Sequence, residues 1–155
     1  MDTDRAMTPG EQTLAASLFG DAIDYDKVTI RNRRWWPFQP RNIAMAPCGH
    51  VHIPPASTLW SDDYGQAGAS LQGLLLHELT HVWQTQQRGK YYLVLMRHPF
   101  CRYGYSLKAG WPFERYGLEQ QAEIVRHVFL LRQGIGVPGA PPLETLEALL
   151  PFGGR

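Results

Sequence analysis

His77-Glu78-Leu79-Thr80-His81 places two histidines four positions apart in the chain. On a helix, positions with this spacing lie on one face, so both imidazoles can reach a single metal ion. Glu78 follows the first histidine and can sit beside the ion without binding it, where it can take a proton from a metal-bound water. The pattern therefore predicts the metal-binding helix of a zinc-dependent hydrolase, with Glu78 as the general base.

The residues on either side of this motif are apolar. Leu74-Leu75-Leu76 precedes it and Val82-Trp83 follows it. Polar groups in such surroundings need partners, and a metal ion would be one. The alternative is a buried helix whose histidines are satisfied by hydrogen bonds alone. In either case we expect the helix to begin near Gln66 and to end at Arg88, before Gly89.

Length and composition favour one globular domain, spanning residues 1–155 with a short flexible N-terminus at residues 1–7. Hydrophobic residues make up 44% of the chain, and the net charge of +1 does not favour a general nucleic-acid binder. We therefore expect no nucleic acid among the partners. No stretch approaches the length of a membrane-spanning helix, so we expect no membrane partner either. No secretory signal is visible, which makes a cytoplasmic location the default expectation. Cys48 and Cys101 form no close pair, and whether they are linked stays open.

The remaining elements follow from capping and periodicity, and their order predicts an α+β fold. Thr8-Pro9-Gly10-Glu11 is typical of a helix start, and Gly20 would end that helix. A strand is expected at Lys27–Arg31, followed by a hairpin in which residues 42–46 and 50–53 flank Pro47-Cys48-Gly49. After the HExxH helix we expect a loop-rich connection containing Pro99, a long helix from about Gly117 to Gln133, and a short helix from Leu143 to Leu150.

A catalytic zinc ion usually has three protein ligands, so the two histidines need a third. Glu119 and Glu123 lie four residues apart on the second long helix and share a face. One carboxylate could bind the metal, and the other could accept the remaining N–H of His77 or His81. The alternatives are a solvated acidic face and a ligand at Glu114, the nearest rival acid.

The combination of the HExxH motif with this later acidic segment resembles the gluzincin side of the zinc metallopeptidases, especially the compact minigluzincin forms. The resemblance implies a zincin-like domain in which a small sheet or hairpin packs on the HExxH helix and a second long helix carries the third ligand. It also implies that Glu119 binds Zn²⁺ and that Glu123 supports a histidine. This chain has glutamate at the latter position, where those families often have aspartate.

A second resemblance covers about residues 8 to 88. Thr8–Glu11, Gly49–Pro54 and His77–Gln84 are similar to the extracellular contractile injection system core domain, a family of Vgr-related zincins. The similarity implies a peptidase-like fold and a protein partner in a secretion particle, with export through a contractile injection system. By resemblance to compact zincins, the strand at His50–Ile53 would form the rim of the cleft and pair with an extended substrate.

Peptide hydrolysis develops an oxyanion that a second donor often stabilises. Tyr116, His127 and Arg126 are the candidates, and His127 lies about two turns after Glu119 on nearly the same helix face. The alternatives for these residues are core packing or a surface charge. The predicted catalytic residues are therefore Glu78, His127 and Tyr116.

Two functions fit these residues. The first is an active zinc metallopeptidase with a peptide or protein substrate, and the second is a non-catalytic interaction or adaptor domain of a Vgr or contractile particle that keeps the fold. The presence of Glu78 favours the enzyme, because a purely structural metal site has no use for a general base. The stretch Arg31–Phe38 mixes arginines with aromatic residues, which fits core cover, a protein contact or base stacking.

Overall fold

The computed structural model describes residues 4–96 and 102–152, and it shows the predicted mixture of helices with a small sheet. Pro99 and Cys101 lie outside the described residues. The strands are β1 (Asp4–Ala6), β2 (Thr29–Arg31) and β3 (Val51–His52). The helices are α1 (Pro9–Phe19), α2 (Ala69–Arg88), α3 (Tyr92–Met96), α4 (Leu118–Arg132) and α5 (Leu143–Leu149), with 3₁₀ turns at Tyr25–Lys27, Tyr64–Gln66 and Phe113–Arg115.

The first helix, α1, begins and ends where its capping residues predict. The Thr8 side chain accepts a hydrogen bond from the Glu11 backbone N–H, and the Glu11 carboxylate accepts one from the Thr8 backbone N–H. This reciprocal pair satisfies two N–H groups that a helix start leaves without partners. At the other end, Gly20 has a φ of 57°, a conformation that a side chain would strain.

The N-terminal segment differs from the expected flexible stretch at residues 1–7, because Asp4–Ala6 forms strand β1. This strand pairs antiparallel with β2, which in turn pairs parallel with β3. The Asp4 carboxylate lies 2.9 Å from the Arg33 guanidinium and 3.5 Å from that of Arg31. Asp4 is thus paired with the basic stretch at Arg31–Arg33, in addition to the backbone pairing of β1 with β2.

The predicted hairpin is present as a single bridge between Met45 and His52. The His52 N–H donates to the Met45 carbonyl at 2.7 Å, and the Met45 N–H donates to the His52 carbonyl at 3.1 Å. The outer edge of β3 is therefore already hydrogen-bonded at His52. A substrate cannot pair with the strand at this residue, contrary to the role expected for His50–Ile53.

The two long helices, α2 and α4, pack along each other and form the centre of the molecule. Their contact buries apolar side chains from both, namely Leu75, Leu76, Leu79 and Val82 of α2 and Ile124, Val125 and Val128 of α4. Each fully buried side chain of this kind contributes about 1.5–3 kcal/mol to folding. This packing fixes the distance between the helix that carries the histidines and the helix that carries the acids.

The start of α2 lies three residues after the predicted one, because Tyr64–Gln66 forms a separate 3₁₀ turn. Asp63 caps that turn by accepting from the Gly65 N–H. The end at Arg88 is as predicted. No helix among the described residues is long and apolar enough to cross a membrane.

Candidate metal centre

The histidines of the HExxH motif lie on the face of α2 that is turned towards α4. Both are buried, with 3% of His77 and 6% of His81 exposed. Their ring centroids are 5.1 Å apart and the rings are tilted by 79°. The helix therefore brings the two imidazoles together, as their four-residue spacing predicts.

Glu119 lies in the first turn of α4 and faces both imidazoles. One carboxylate oxygen, Oε1, is 2.6 Å from His81 Nε2, and the other, Oε2, is 3.4 Å from His77 Nε2. One ligand atom from each of the three residues can be chosen so that all lie within 4.8 Å of one another. His77, His81 and Glu119 thus form a cluster that can hold a metal ion.

Gln84 fixes the orientation of the His81 ring. Its Nε2 donates to the Leu118 carbonyl at 3.1 Å and to Gln121 Oε1 at 2.9 Å, so its Oε1 is left to accept from His81 Nδ1 at 2.8 Å. Gln121 is oriented in turn by donating to the Tyr116 carbonyl. This network assigns the proton of neutral His81 to Nδ1 and directs the Nε2 lone pair at the cluster.

His77 is held less tightly. Its Nδ1 is buried and has no hydrogen-bond partner among the described residues. The nearest acceptor of opposite charge is Glu123 Oε1, 3.6 Å away. The other Glu123 oxygen lies 3.6 Å from His127 Nε2 and 3.5 Å from Arg126 Nε. Glu123 is therefore beside the histidine that it was predicted to support, at a distance longer than a hydrogen bond.

The electrostatics of the cluster favour a positive charge between its members. Burial alone would raise the pKa of Glu119, but hydrogen bonds and charge from the two imidazoles hold it well below its usual range. Burial would lower the pKa of His81, yet the Glu119 carboxylate raises it. A proton or a metal ion can supply this charge. Two imidazole nitrogens and a carboxylate oxygen form a donor set that zinc commonly binds, so these residues fit a zinc ion.

Glu78 faces the same cavity as the cluster, a space of about 260 Å³. Only 5% of the residue is exposed. Burial raises the pKa of its carboxyl, against the lowering effect of the two neighbouring histidines. The rest of the cavity is lined by Asn42, Ile43, Ala44, Leu59, Leu74, Tyr103 and Arg126.

The predicted oxyanion donors are not all brought to this cavity. Tyr116 is buried elsewhere, and its hydroxyl accepts from the Lys108 N–H at 2.9 Å. His127 lines a neighbouring cavity, and its Nδ1 lies 2.7 Å from the Tyr105 hydroxyl. Arg126 does line the cavity of the cluster. Glu114, the rival third ligand, is exposed and stands outside the cluster.

Tyr103 and Gln84 belong to the site although the sequence analysis did not identify them. The Tyr103 ring stacks on His77, with centroids 6.1 Å apart and an interplanar angle of 17°. Tyr103 lies in the loop-rich connection, where no local pattern marks it. Gln84 carries a usable signal, because it lies three residues after His81 and therefore on the same side of the helix.

The fold and the site define an α+β domain with a buried His–His–Glu cluster that can hold a metal ion. The structure is similar to the effector domain of Pseudomonas aeruginosa VgrG2b, with a TM-score of 0.72 and 34% identity over 83% of this chain and 75% of that domain. The chain belongs to the family of this effector domain. It is also 36% identical over 143 residues to the type VI secretion system spike protein VgrG2b of Pseudomonas aeruginosa. That match covers 88% of this chain but only 14% of the spike protein. No protein-family model matches the chain.

Proposed function

We propose that this domain is a zinc-dependent metallopeptidase in which His77, His81 and Glu119 hold the metal and Glu78 is the general base. The observation that carries the proposal is the convergence of all four side chains on one cavity. Glu78 is a buried carboxylate that lines this cavity without belonging to the ligand cluster, which supports a role in taking a proton from a metal-bound water. The same geometry supports the zincin-like character that the HExxH motif predicts.

When bound, zinc supplies Lewis acidity, which acidifies a coordinated water and polarises a peptide carbonyl. The residues of the chain perform the remaining tasks. Glu78 takes the proton of the attacking water and passes it to the leaving amine. Gln84 holds His81 in the tautomer that presents Nε2 to the metal. Tyr103 stacks on the His77 ring and limits its movement.

The likeness to the VgrG2b effector domain supports a role within a secretion particle. The matched relative is named a type VI secretion system spike protein, and the matched structure is named its effector domain. We infer that the present domain is likewise an effector domain associated with a Vgr-type spike. Export would then proceed with the particle.

A non-catalytic interaction domain is the second candidate, and one loop favours it. Trp35, Trp36 and Phe38 are exposed, with 77% of Phe38 accessible. Exposed tryptophans are typical anchors of protein interfaces. A domain of this kind would keep the metal cluster for stability and would have no need of Glu78.

The two candidates are separated by the variant Glu78→Gln, with Glu114→Gln as a control that removes an exposed acid. We expect about one zinc per chain in the wild type and in both variants. Cleavage of denatured proteins should fall about 10²–10⁴-fold in Glu78→Gln and stay unchanged in the control. Absence of cleavage by the zinc-loaded wild type would favour the interaction domain. Equal cleavage by the wild type and Glu78→Gln would reject Glu78 as the general base, and loss of zinc from Glu78→Gln would show that Glu78 binds the metal.

A further inference from the structure

Arg126 lies between two cavities on the face of α4 that carries the third ligand. It follows Glu119 by seven residues, about two helical turns or about 10.5 Å along the axis. It lines the cavity of the metal centre and also a neighbouring space of about 490 Å³. Tyr103 is another residue that lines both cavities, so Arg126 and Tyr103 lie where the two spaces adjoin.

The position of Arg126 depends on a close approach of the two long helices. A Cβ at Gly73, on α2, would lie 3.3 Å from Arg126 Cγ, so the absence of a side chain there makes room for the arginine stem. Side chains on a helix lean towards its N-terminus. The Arg126 side chain is therefore directed back towards the turn that carries Glu119.

The guanidinium is only partly neutralised by the protein. Arg126 Nε lies 3.5 Å from Glu123 Oε2, which is longer than a hydrogen bond in a close ion pair, and Glu123 Oε2 also faces His127. Among the described residues, Arg126 Nε is buried and has no hydrogen-bond partner. The side chain is 30% exposed.

A guanidinium has five N–H donors in a planar fork that matches the two oxygens of a carboxylate. Leaving such donors partly buried and unused costs free energy, which a matching ligand recovers. If the role of Arg126 were only to pair with Glu123, we would expect short hydrogen bonds between the two side chains. The separation of 3.5 Å between Nε and Oε2 is longer than that. The position between the cavities suits a ligand that reaches the metal centre.

We propose that Arg126 binds a carboxylate of the substrate in the same cavity in which the metal centre cleaves the peptide bond. The inference rests on the proposed peptidase function and adds a substrate class to it, acidic peptides. The carboxylate is either an acidic side chain or the C-terminal group of the substrate. The apolar side chains of Ile43, Leu59 and Leu74 line the same cavity and would contact the uncharged part of the ligand.

A binding assay tests the proposed carboxylate site at Arg126 and does not require the peptide to be cleaved. The zinc-loaded Glu78→Gln protein is immobilised and offered synthetic decapeptide pools of uncharged residues, in which the central residue is Glu, Gln or Lys and the C-terminus is an acid or an amide. Mass spectrometry measures the retained fraction of each pool. We expect at least about tenfold preference for a carboxylate, the effect of a charge-assisted hydrogen-bond pair. The Glu pool against the Gln pool, and acid against amide, identify which carboxylate is bound.

The preference should disappear in Glu78→Gln/Arg126→Gln and persist in Glu78→Gln/Arg132→Gln. Arg132 is the matched control because it lies on α4, is paired with Glu147, and lines neither cavity. Arg126→Glu, in the same background, should reverse the preference towards the Lys pool, which a merely structural arginine would not do. If this variant does not fold, the Arg126→Gln comparison still decides the question.

Three results would overturn the assignment of Arg126: equal retention of all pools, a carboxylate preference that survives Arg126→Gln, or no retention of any peptide. If the carboxylate preference depends on Arg126 but the zinc-loaded wild type cleaves no peptide, the peptidase function is rejected and the carboxylate site is retained. The two proposals therefore fail in distinguishable ways.

Discussion

The two histidines of the metal centre are held in different ways, although they lie one turn apart on the same helix. His81 has a partner at each nitrogen, Gln84 at 2.8 Å and Glu119 at 2.6 Å. His77 has Glu119 at 3.4 Å and Glu123 at 3.6 Å, and its Nδ1 forms no hydrogen bond with any residue that the structure describes. The protein alone therefore orients the His81 ring. The His77 ring reaches hydrogen-bonding distance of these carboxylates only when a ligand binds or the side chains move slightly.

This difference shows that separate sets of side chains position the two histidines. The amides of Gln84 and Gln121 link α2 to α4 and fix His81 before any metal arrives. Such preorganisation lowers the cost of binding, since the ring does not have to be ordered at that moment. On the side of His77, the Glu123 carboxylate is shared with His127 and Arg126, so it is not dedicated to the metal centre.

The largest effect is expected from Glu119→Gln, because this carboxylate faces both histidines. The variant removes the charge from the centre, and we expect zinc affinity to fall more than about 100-fold, beyond the range seen when groups behind the ligands are changed. Competition with a chelating dye measures the affinity. Glu114→Gln should leave it unchanged, and a similar loss in that control would contradict the assignment of the third ligand.

A smaller loss is expected from Gln84→Leu, which removes the partner of His81 and leaves its Nδ1 without an acceptor. Zinc affinity should fall about 10–100-fold. The free energy of unfolding should fall by about 1–3 kcal/mol, because buried polar groups of Leu118 and Gln121 lose their donor. Denaturant titration and dye competition measure the two quantities. Gln87→Leu, an exposed glutamine of the same helix, is the control and should change neither.

The smallest effect is expected from Glu123→Gln, because the carboxylate is 3.6 Å from His77 Nδ1 and forms no hydrogen bond with it. We expect zinc affinity to change by less than about tenfold, below the lower end of the usual range for such partners. The same dye competition applies. A loss larger than that of Gln84→Leu would show that Glu123 moves onto His77 when zinc binds, and the contrast between the two histidines would then belong to the metal-free state only.

The sequence predicts those parts of the fold that depend on neighbouring residues. The start of α1 and the end of α2 follow from Thr8, Glu11 and Gly89, whose interactions lie within one helical turn. Strand β1 was missed because its pairing with residues 29–31 depends on contacts across more than twenty positions of the chain. Local propensity contains no information on such a partner.

The candidate site shows the same limit. Helical spacing brings His77 and His81 together without knowledge of the fold. It leaves Glu119 and Glu123 equivalent, because both lie on one face of α4. Only the packing of α4 against α2 places Glu119 between the histidines and Glu123 to one side. Tyr116 was predicted as a catalytic residue from its type and position, and the structure places its ring away from the cavity.

The aromatic loop at residues 34–43 is shaped by a single buried amide. Gln39 accepts from the Trp35 N–H at 2.7 Å and donates to the Ile43 and His52 carbonyls at 2.8 and 3.1 Å, and only 2% of it is exposed. These hydrogen bonds hold the shape of the loop from within, and its residue Ile43 lines the cavity of the metal centre. Trp35 and Trp36 belong to the same loop, so a ligand that displaces Ile43 is expected to change their indole fluorescence.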